Sequence, residues 1–164
     1  MATGNSVPGA HGDTVMASLA NKTALVTGAS RGIGRATAEA LAKMGAHLIV
    51  HYGRSAAEAG ALVAGIRAAG GSADAVQADL STPEGAAALA KQVRALVGQR
   101  LDIFVANAGV SKAAAIEEHT IEDFDNLFAT NVRSPLSREG TAAALGRGVE
   151  HYRRLIAGRS CCTR

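Results

Sequence analysis

The stretch "TALVTGASRGIGRATAEALAKMG" at residues 23–45 decides the fold. Residues 23–27 form a short β-branched and apolar run that predicts a buried strand. Three glycines follow within residues 28–34, and apolar residues then recur at helical spacing over residues 33–44. A glycine-rich turn between a strand and a helix lets backbone amides approach a pyrophosphate closely. The stretch therefore predicts a nucleotide-binding strand, turn and helix, with an ordinary glycine-rich turn as the alternative.

The rest of the chain repeats this alternation of strand and helix. Residues 47–52, 72–77 and 101–106 predict three further strands, and a helical pattern follows each of them. The third helix is expected to begin at "STPE" (residues 81–84), capped by its serine or threonine, and Thr120 is expected to cap the fourth. Parallel strands joined by right-handed helical crossovers give an α/β fold, a Rossmann-type doubly wound parallel sheet. Cofactors bind such sheets at the carboxyl ends of the strands.

Length and composition favour a single α/β domain. The chain has 164 residues, of which 48% are hydrophobic, so it can bury one sizeable core. Only 3% of the residues are aromatic and 19 are glycine, which suits close packing of helices on a sheet. No apolar run reaches the roughly 18 residues of a membrane span, and the first residues lack the pattern of a signal peptide. A cytoplasmic protein is therefore expected.

The net charge of +3 comes from the end of the chain. Residues 137–164 carry six arginines against two glutamates, a charge of +4, which leaves −1 for residues 1–136. Without this tail the chain has no basic face, so neither a nucleic acid nor a membrane is expected as a partner. Cys161 and Cys162 are adjacent and have no second pair of ligands to join, so neither a disulfide framework nor a metal site is predicted.

The end of the second predicted strand selects the dinucleotide. An acidic residue at this point binds the ribose 2′-hydroxyl of NAD, whereas an arginine accommodates the 2′-phosphate of NADP. The sequence "HYGRSAAE" has no acid before Glu58 and offers Arg54 and Ser55 instead. Arg31, within the glycine turn, is expected to reach the same phosphate from the other side. These residues predict NADP(H) and argue against an S-adenosylmethionine methyltransferase; two solvated surface arginines are the alternative.

Four motifs in order resemble the classical short-chain dehydrogenase/reductase family. The glycine order in "TGASRGIG" (residues 27–34) resembles the nucleotide loop of that family, and "ADLS" (78–81), "ANAG" (106–109) and "TNV" (130–132) follow at the family's spacing. Together they cover about residues 20–136. The resemblance, closest to the 3-oxoacyl-acyl-carrier-protein reductases, implies an NADP(H)-dependent oxidoreductase that reduces small carbonyl or 3-oxoacyl substrates. It also implies a homo-oligomer for the complete fold.

The resemblance also implies the site residues. Asp79 would bind the adenine amino group beside Leu80, although an Asx turn before a helix is the ordinary alternative. Asn107 and Gly109 would lie near the cofactor's ribose, and Asn131 would be the catalytic asparagine that organises a water in the proton relay. The complete set of implied cofactor-binding residues is Gly28, Ser30, Arg31, Gly32, Ile33, Gly34, Arg54, Ser55, Asp79, Leu80, Asn107, Ala108 and Gly109.

The resemblance ends at Leu136. The family transfers a hydride with the help of a serine, a tyrosine and a lysine four residues after that tyrosine. In this chain Ile156 lies four residues after Tyr152, and no lysine follows Lys112. The chain is therefore expected to hold about four of the family's seven strands, truncated after the fourth strand and its helix, and to be inactive as written.

Three segments are predicted: a disordered leader at 1–18, a partial NADP-binding Rossmann domain at 19–136 and a basic aberrant tail at 137–164. Because the composition changes abruptly, the tail is interpreted as an out-of-frame translation. Read one nucleotide later with suitable synonymous codons, it can encode an amphipathic helix and a strand Ser-Ile-Ile-Val-Val-Ser-Ser that ends in the missing serine. Two alternatives are a naturally short relative with a basic tail, and a non-catalytic NADP-binding or regulatory module that pairs with another protein. The leader itself would be absent from a protein that starts at Met16.

Overall fold

The computed structural model describes residues 18–98 and 100–134 and the backbone of one strand at 151–154. Within these residues, five parallel strands form one sheet in the order β3-β2-β1-β4-β5. The strands are β1 (Thr23–Val26), β2 (His47–Tyr52), β3 (Ser72–Gln77), β4 (Ile103–Ala106) and β5 (His151–Arg154). Because β1 pairs with β2 on one side and with β4 on the other, the strand order reverses beside β1. The predicted doubly wound sheet is confirmed, and its reversal marks the place where such folds bind ligands.

Helices cover both faces of this sheet. The four α-helices are α1 (Gly32–Lys43), α2 (Ala56–Ala68), α3 (Gly85–Val97) and α4 (Ile121–Phe128). A short 3₁₀ turn at Ile116–Glu118 precedes α4, and a π-helical turn at Ala129–Arg133 extends it. None of the helices in the described part of the chain is both long and apolar enough to cross a membrane.

The core consists of two apolar clusters, one on each face of the sheet. Side chains alternate between the faces along a strand, so Ala24 and Val26 of β1 pack with α1 and α2. Leu25 points to the opposite face, where it packs with Phe104 of β4 and with Leu89 of α3. Both faces of β1 and β2 are therefore buried, which explains why these strands are continuous apolar runs and do not alternate with polar residues.

The predicted strand positions agree closely with the observed ones. β2 and β3 have the predicted bounds, whereas β1 ends one residue earlier, at Val26, and β4 begins two residues later, at Ile103. Thr120 caps α4 as predicted: its hydroxyl accepts a hydrogen bond from the Asp123 amide at 3.2 Å, and the Asp123 carboxylate accepts one from the Thr120 amide at 2.9 Å. This reciprocal pair is a capping box.

The predicted start of α3 is wrong. The helix begins at Gly85, because Ser81 and Thr82 use their side chains before the helix starts. The Ser81 hydroxyl donates to the Asp79 carboxylate at 2.6 Å, and the Thr82 hydroxyl donates to the Asp79 carbonyl at 3.0 Å. Such local bonds from a hydroxyl compete with helix capping and hold the backbone in a turn.

The fifth strand is not predicted by the sequence. Its backbone pairs in parallel with β4, with Tyr152 opposite Phe104, and it lies inside the segment interpreted as an aberrant tail. The edge of the sheet beside β4 is therefore occupied over these residues. The rest of the segment 137–164, the last residues of the predicted domain, and all but the last residue of the leader 1–18 lie outside the described residues. The three predicted boundaries stay predictions.

Candidate functional site

A cavity of about 610 Å³ lies at the carboxyl ends of the first four strands. The residues that line it lie at or after the ends of these strands: the glycine turn after β1, His51 and residues 53–55 at the end of β2, residues 78–81 after β3 and residues 107–110 after β4. Asn126 of α4 and Thr130 of the π-helical turn complete the wall. All of the predicted cofactor-binding residues except Gly34 line this cavity.

Two glycines allow the turn after β1 to lie against the loop after β4. Gly28 has φ +64°, and a Cβ atom on it would lie 2.9 Å from the Cα of Ala108. A Cβ atom on Gly34 would collide with the side-chain amide of Asn107 and with the carbonyl oxygen of Gly28. Gly34 is therefore needed behind the cavity wall, where it sets how closely α1 approaches the sheet.

The N-terminus of α1 offers an uncompensated positive end to the cavity. Its N-cap residue, Arg31, makes no side-chain capping bond, and the first turn contains no acidic residue. The exposed guanidinium groups of Arg31 and Arg54 belong to residues that line the same cavity. Helix N-termini and guanidinium groups both favour phosphate oxygens, so this donor set fits a phosphorylated nucleotide.

Asp79 forms an Asx turn, which is the ordinary alternative to its predicted role in binding adenine. Its Oδ1 atom accepts hydrogen bonds from the Ser81 amide at 3.0 Å and from the Ser81 hydroxyl at 2.6 Å. These bonds from Ser81, assisted by the charge of Arg54, lower the pKa of the Asp79 carboxyl, which therefore stays ionised. Oδ2 makes no hydrogen bond with any described residue. The turn thus leaves one carboxylate oxygen available, and the adenine contact stays a prediction.

Thr27 is a site-forming residue that the sequence reasoning missed. Its buried hydroxyl donates to the Val105 carbonyl at 3.3 Å and accepts from the amides of Asn107 and Ala108, both at 3.0 Å. In return, Asn107 Nδ2 donates to the carbonyl oxygens of Thr27 at 2.9 Å and Gly28 at 3.2 Å. The sequence signal for this role was the position of Thr27, a hydroxyl residue at the end of an apolar run and directly before a glycine. These bonds fasten the loop after β4 to the glycine turn.

Asn131 lies in the π-helical turn, next to the cavity wall. Its side chain accepts a hydrogen bond from the Val110 amide at 2.9 Å and donates one to the Val110 carbonyl at 2.9 Å. The amide side chain thus makes two hydrogen bonds to the backbone of Val110 and holds the loop after β4 at a different residue from those that Thr27 contacts. Single π-helical turns occur often at functional sites. The predicted role of Asn131 in ordering a water stays a prediction.

His51 is the second residue that the sequence reasoning missed. It lines the cavity from the end of β2 and is only 2% exposed. Its Nδ1 atom accepts a hydrogen bond from the Gly28 amide at 3.1 Å, and its Nε2 atom lies 3.1 Å from the Ala78 carbonyl oxygen. Burial lowers the pKa of the ring to about 4, so it is neutral near pH 7. A polar ring at the end of an apolar strand, "HLIVHY", was the signal for it.

Comparison with known families identifies the chain. The family model described as short chain dehydrogenase matches residues 22–146. The chain belongs to the short-chain dehydrogenase family. The match includes the glycine turn and each loop that lines the cavity.

The curated and solved relatives of this short-chain dehydrogenase are longer than the chain itself. An uncharacterized oxidoreductase of Methylorubrum extorquens is 48% identical over 136 residues, which are 81% of this chain and 54% of that relative. Hydroxynaphthalene reductase of Aspergillus fumigatus is 43% identical over 118 residues, 72% of this chain and 43% of the relative. A short-chain dehydrogenase from Burkholderia cenocepacia, solved in complex with NADP, has a TM-score of 0.72 and 40% identity over 80% of this chain and 52% of its own. The chain thus spans about half the length of the curated relatives it matches.

Acidification is expected to destabilise this short-chain dehydrogenase chain through His51. The pKa of the ring falls from 6.5 to about 4 on folding, because burial outweighs the hydrogen bond to Ala78. The unfolded chain takes up a proton near pH 6.5 while the folded ring stays neutral, so stability decreases as the pH falls from 6.5 to 4 and then levels off. Urea unfolding should show a loss of about 2 kcal/mol between about pH 7.5 and about pH 5.

The control for this prediction is His51→Asn, which removes the titrating ring. Its unfolding free energy should change little over the same interval. The carboxyls of Asp79 and Asp123 have lowered pKa values, through bonds from Ser81 and from Lys112 respectively, so they contribute to the pH dependence only below the window of His51. A parent chain that is equally stable at both pH values would contradict the assignment to His51.

Proposed function

We propose that this chain binds NADP(H) in the cavity at the ends of β1–β4 and supplies the nucleotide-binding part of a carbonyl reductase. One observation carries the proposal. Arg31 and Arg54 come from different loops and line the same cavity, and no acidic residue follows β2 until Glu58, three residues beyond the cavity lining. An acid there would repel the 2′-phosphate that two guanidinium groups attract.

Each part of the dinucleotide has a matching group on the cavity wall. The N-terminus of α1 suits the pyrophosphate, and the two arginines suit the 2′-phosphate. Asp79 and Leu80 would hold the adenine, while Asn107 and Gly109 would lie beside a ribose. NADPH, when bound, supplies the hydride for carbonyl reduction. The chain's own contribution is to bind and orient it, with Asn131 holding the adjacent loop in place.

Removal of both arginines should abolish the preference for NADPH over NADH. We expect Arg31→Ala/Arg54→Ala to weaken NADPH binding about 30-fold and to leave NADH binding within about twofold, since only the 2′-phosphate loses its partners. Calorimetric titration of the purified 164-residue chain with each cofactor measures this. Arg94→Ala, at an exposed position of α3 away from the cavity, is the matched control and should bind as the parent does. Equal loss of affinity for both cofactors would exclude the assignment to the 2′-phosphate.

The carbonyl-reducing step is proposed to need residues that this chain does not supply. Ile156 occupies the place of the lysine after Tyr152, and no lysine follows Lys112. In the family that the chain resembles, this lysine lowers the pKa of the tyrosine that donates the proton, and no lysine follows Tyr152 to do so. We therefore expect the chain to bind NADPH and to leave ketone and 3-oxoacyl substrates unreduced. Oxidation of NADPH in the presence of such a substrate, above the rate without protein, would refute this.

A non-catalytic NADP-binding module that pairs with another protein is the second candidate. It is favoured by the exposed apolar residues of α4: Phe124 and Phe128 stack with ring centroids 4.3 Å apart and are each about half exposed, and Ile121 is more exposed still. The nucleotide sequence from the Asn131 codon onward separates the two candidates. A shift of frame near Leu136 that restores the family's later strands supports the reductase interpretation. An uninterrupted frame supports the module.

A further inference from the structure

The side chain of His51 joins the ends of three strands. It is carried by β2, it accepts the hydrogen bond of the Gly28 amide after β1, and it reaches the Ala78 carbonyl after β3, each over 3.1 Å. Gly28 opens the glycine turn, and Ala78 directly precedes Asp79. Both loops line the same cavity. The ring is 2% exposed; its bond to the Ala78 carbonyl is buried, and its bond from the Gly28 amide is partly buried.

The two partners of His51 require opposite hydrogen-bonding roles from the two ring nitrogens. The Gly28 amide can only donate and the Ala78 carbonyl can only accept, so Nδ1 must carry a lone pair and Nε2 a proton. The neutral ring satisfies both partners in one tautomer, and the low polarity of its surroundings favours that neutral form. Lysine and arginine carry donors but no acceptor, and a carboxylate carries acceptors but no donor. Neither kind of side chain can replace the ring.

Other side-chain bonds hold each loop separately, whereas the backbone of β2 bonds to both loops: the Ala29 amide donates to the His51 carbonyl at 2.9 Å and the Ala78 amide donates to the Tyr52 carbonyl at 3.2 Å. Thr27 and Asn107 fasten the glycine turn to β4, and Ser81 fixes the Asp79 side chain within its own loop. His51 differs because it connects one loop with the other across the end of β2. The separation of the two loops along the cavity therefore depends on this ring as well as on the backbone of β2.

We propose that His51 is a positioning residue for the dinucleotide: it sets the distance between the glycine turn, which would hold the pyrophosphate, and the Asp79 loop, which would hold the adenine. The inference rests on the proposed function. A ligand that spans both loops gains affinity when their separation is fixed in advance, because less conformational entropy is lost on binding. A ligand that touches one loop gains nothing from the connection.

The test compares two ligands on variants of the full chain. NADPH spans both loops, whereas adenosine carries neither the pyrophosphate nor the 2′-phosphate that the glycine turn would hold and would depend mainly on the Asp79 loop. We expect His51→Phe, which fills the space but makes neither bond, to weaken NADPH binding about tenfold and adenosine binding less than about twofold. Calorimetry for NADPH and ligand-observed NMR for adenosine give the two affinities, and circular dichroism verifies that the variant is folded.

Two conservative variants separate the two bonds. His51→Asn keeps an acceptor near Nδ1 for the Gly28 amide, and His51→Gln keeps a donor near Nε2 for the Ala78 carbonyl. Each breaks one bond of the connection, so each should lose about threefold in NADPH affinity with adenosine affinity unchanged. If phenylalanine at this position prevents folding, these two variants carry the test.

The possible failures are distinguishable. An unaltered chain that does not bind NADPH overturns the proposed function, whatever the variants do. A parent that binds NADPH, together with His51 variants of the same NADPH affinity, overturns the positioning role alone. Equal losses for NADPH and adenosine in folded variants also overturn it, since they would show that the ring merely supports the loop after β3.

Discussion

Thr27→Val is expected to lower the free energy of unfolding by about 3 kcal/mol, although it changes the shape of the side chain very little. The buried hydroxyl accepts hydrogen bonds from the Asn107 and Ala108 amides, and valine accepts none. The Asn107 amide keeps a second acceptor, the Val105 carbonyl at 3.1 Å, whereas no second acceptor is seen for Ala108 among the described residues. Most of the cost therefore comes from one amide that is left without a partner. Urea unfolding of parent and variant measures it.

The matched control for this prediction is Thr37→Val. The Thr37 hydroxyl also donates to a backbone carbonyl, that of Ile33 at 2.8 Å, but it accepts no amide and lies on the outer side of α1. Its replacement should change stability by less than about 0.5 kcal/mol. Equal effects of the two substitutions would show that the connection between β1 and the loop after β4 contributes little. NADPH affinity should also fall in Thr27→Val alone, because that loop forms part of the cavity wall.

Gly34→Ala is expected to be the second large effect, a loss of about 3 kcal/mol in stability and at least about tenfold in NADPH affinity. The added methyl group would overlap the side-chain amide of Asn107 and the carbonyl oxygen of Gly28. The carbonyl belongs to the backbone and cannot rotate away, so α1 has to move outward from the sheet. That movement displaces the helix N-terminus, which would hold the pyrophosphate. Thermal unfolding and calorimetric titration measure the two losses.

Gly60→Ala is the same substitution at another glycine, and it is expected to raise the stability of the chain. Gly60 lies in the middle of α2, and apart from its chain neighbours and the backbone of its own helix, no atom lies within 4 Å of the position that its Cβ would occupy. Alanine there should stabilise the chain by about 0.5–1 kcal/mol, because it restricts the unfolded backbone and favours the helix. Cofactor affinity should be unchanged. If Gly34→Ala behaved like Gly60→Ala, close contact between α1 and the glycine turn would not be needed.

Local patterns were sufficient to predict most of the elements. Apolar runs predicted β1, β2 and β4, and the weaker pattern "SADAVQ" predicted β3, with errors of one or two residues at β1 and β4. The failure at α3 has a physical reason: Ser81 and Thr82 have the chemistry of helix caps, but both bond to Asp79 instead. A hydroxyl has several possible partners in its neighbourhood, and the sequence does not reveal which of them it chooses.

The fifth strand shows a different kind of failure. Residues 151–154 read "HYRR", which has neither an apolar run nor a clear alternation, and a composition unlike the rest of the chain led to the interpretation of an aberrant tail. The backbone pairs with β4 in spite of this. Strand formation depends on the neighbouring strand that is available, and this information is not local to the segment. Whether the tail is out of frame stays a prediction.

The sequence by itself determined the family, the order of the first four strands and their helices, and the residues that follow each of those strands. These properties are local: a glycine turn, a capping box or an apolar run depends on residues a few positions apart. Only the tertiary structure decided which side chains hold those loops together. Thr27 and Asn107 are 80 positions apart, and His51 meets Gly28 across 23 positions and Ala78 across 27. A hydrogen bond between distant residues depends on the register of the parallel strands that bring them together, and that register exists only in the folded sheet.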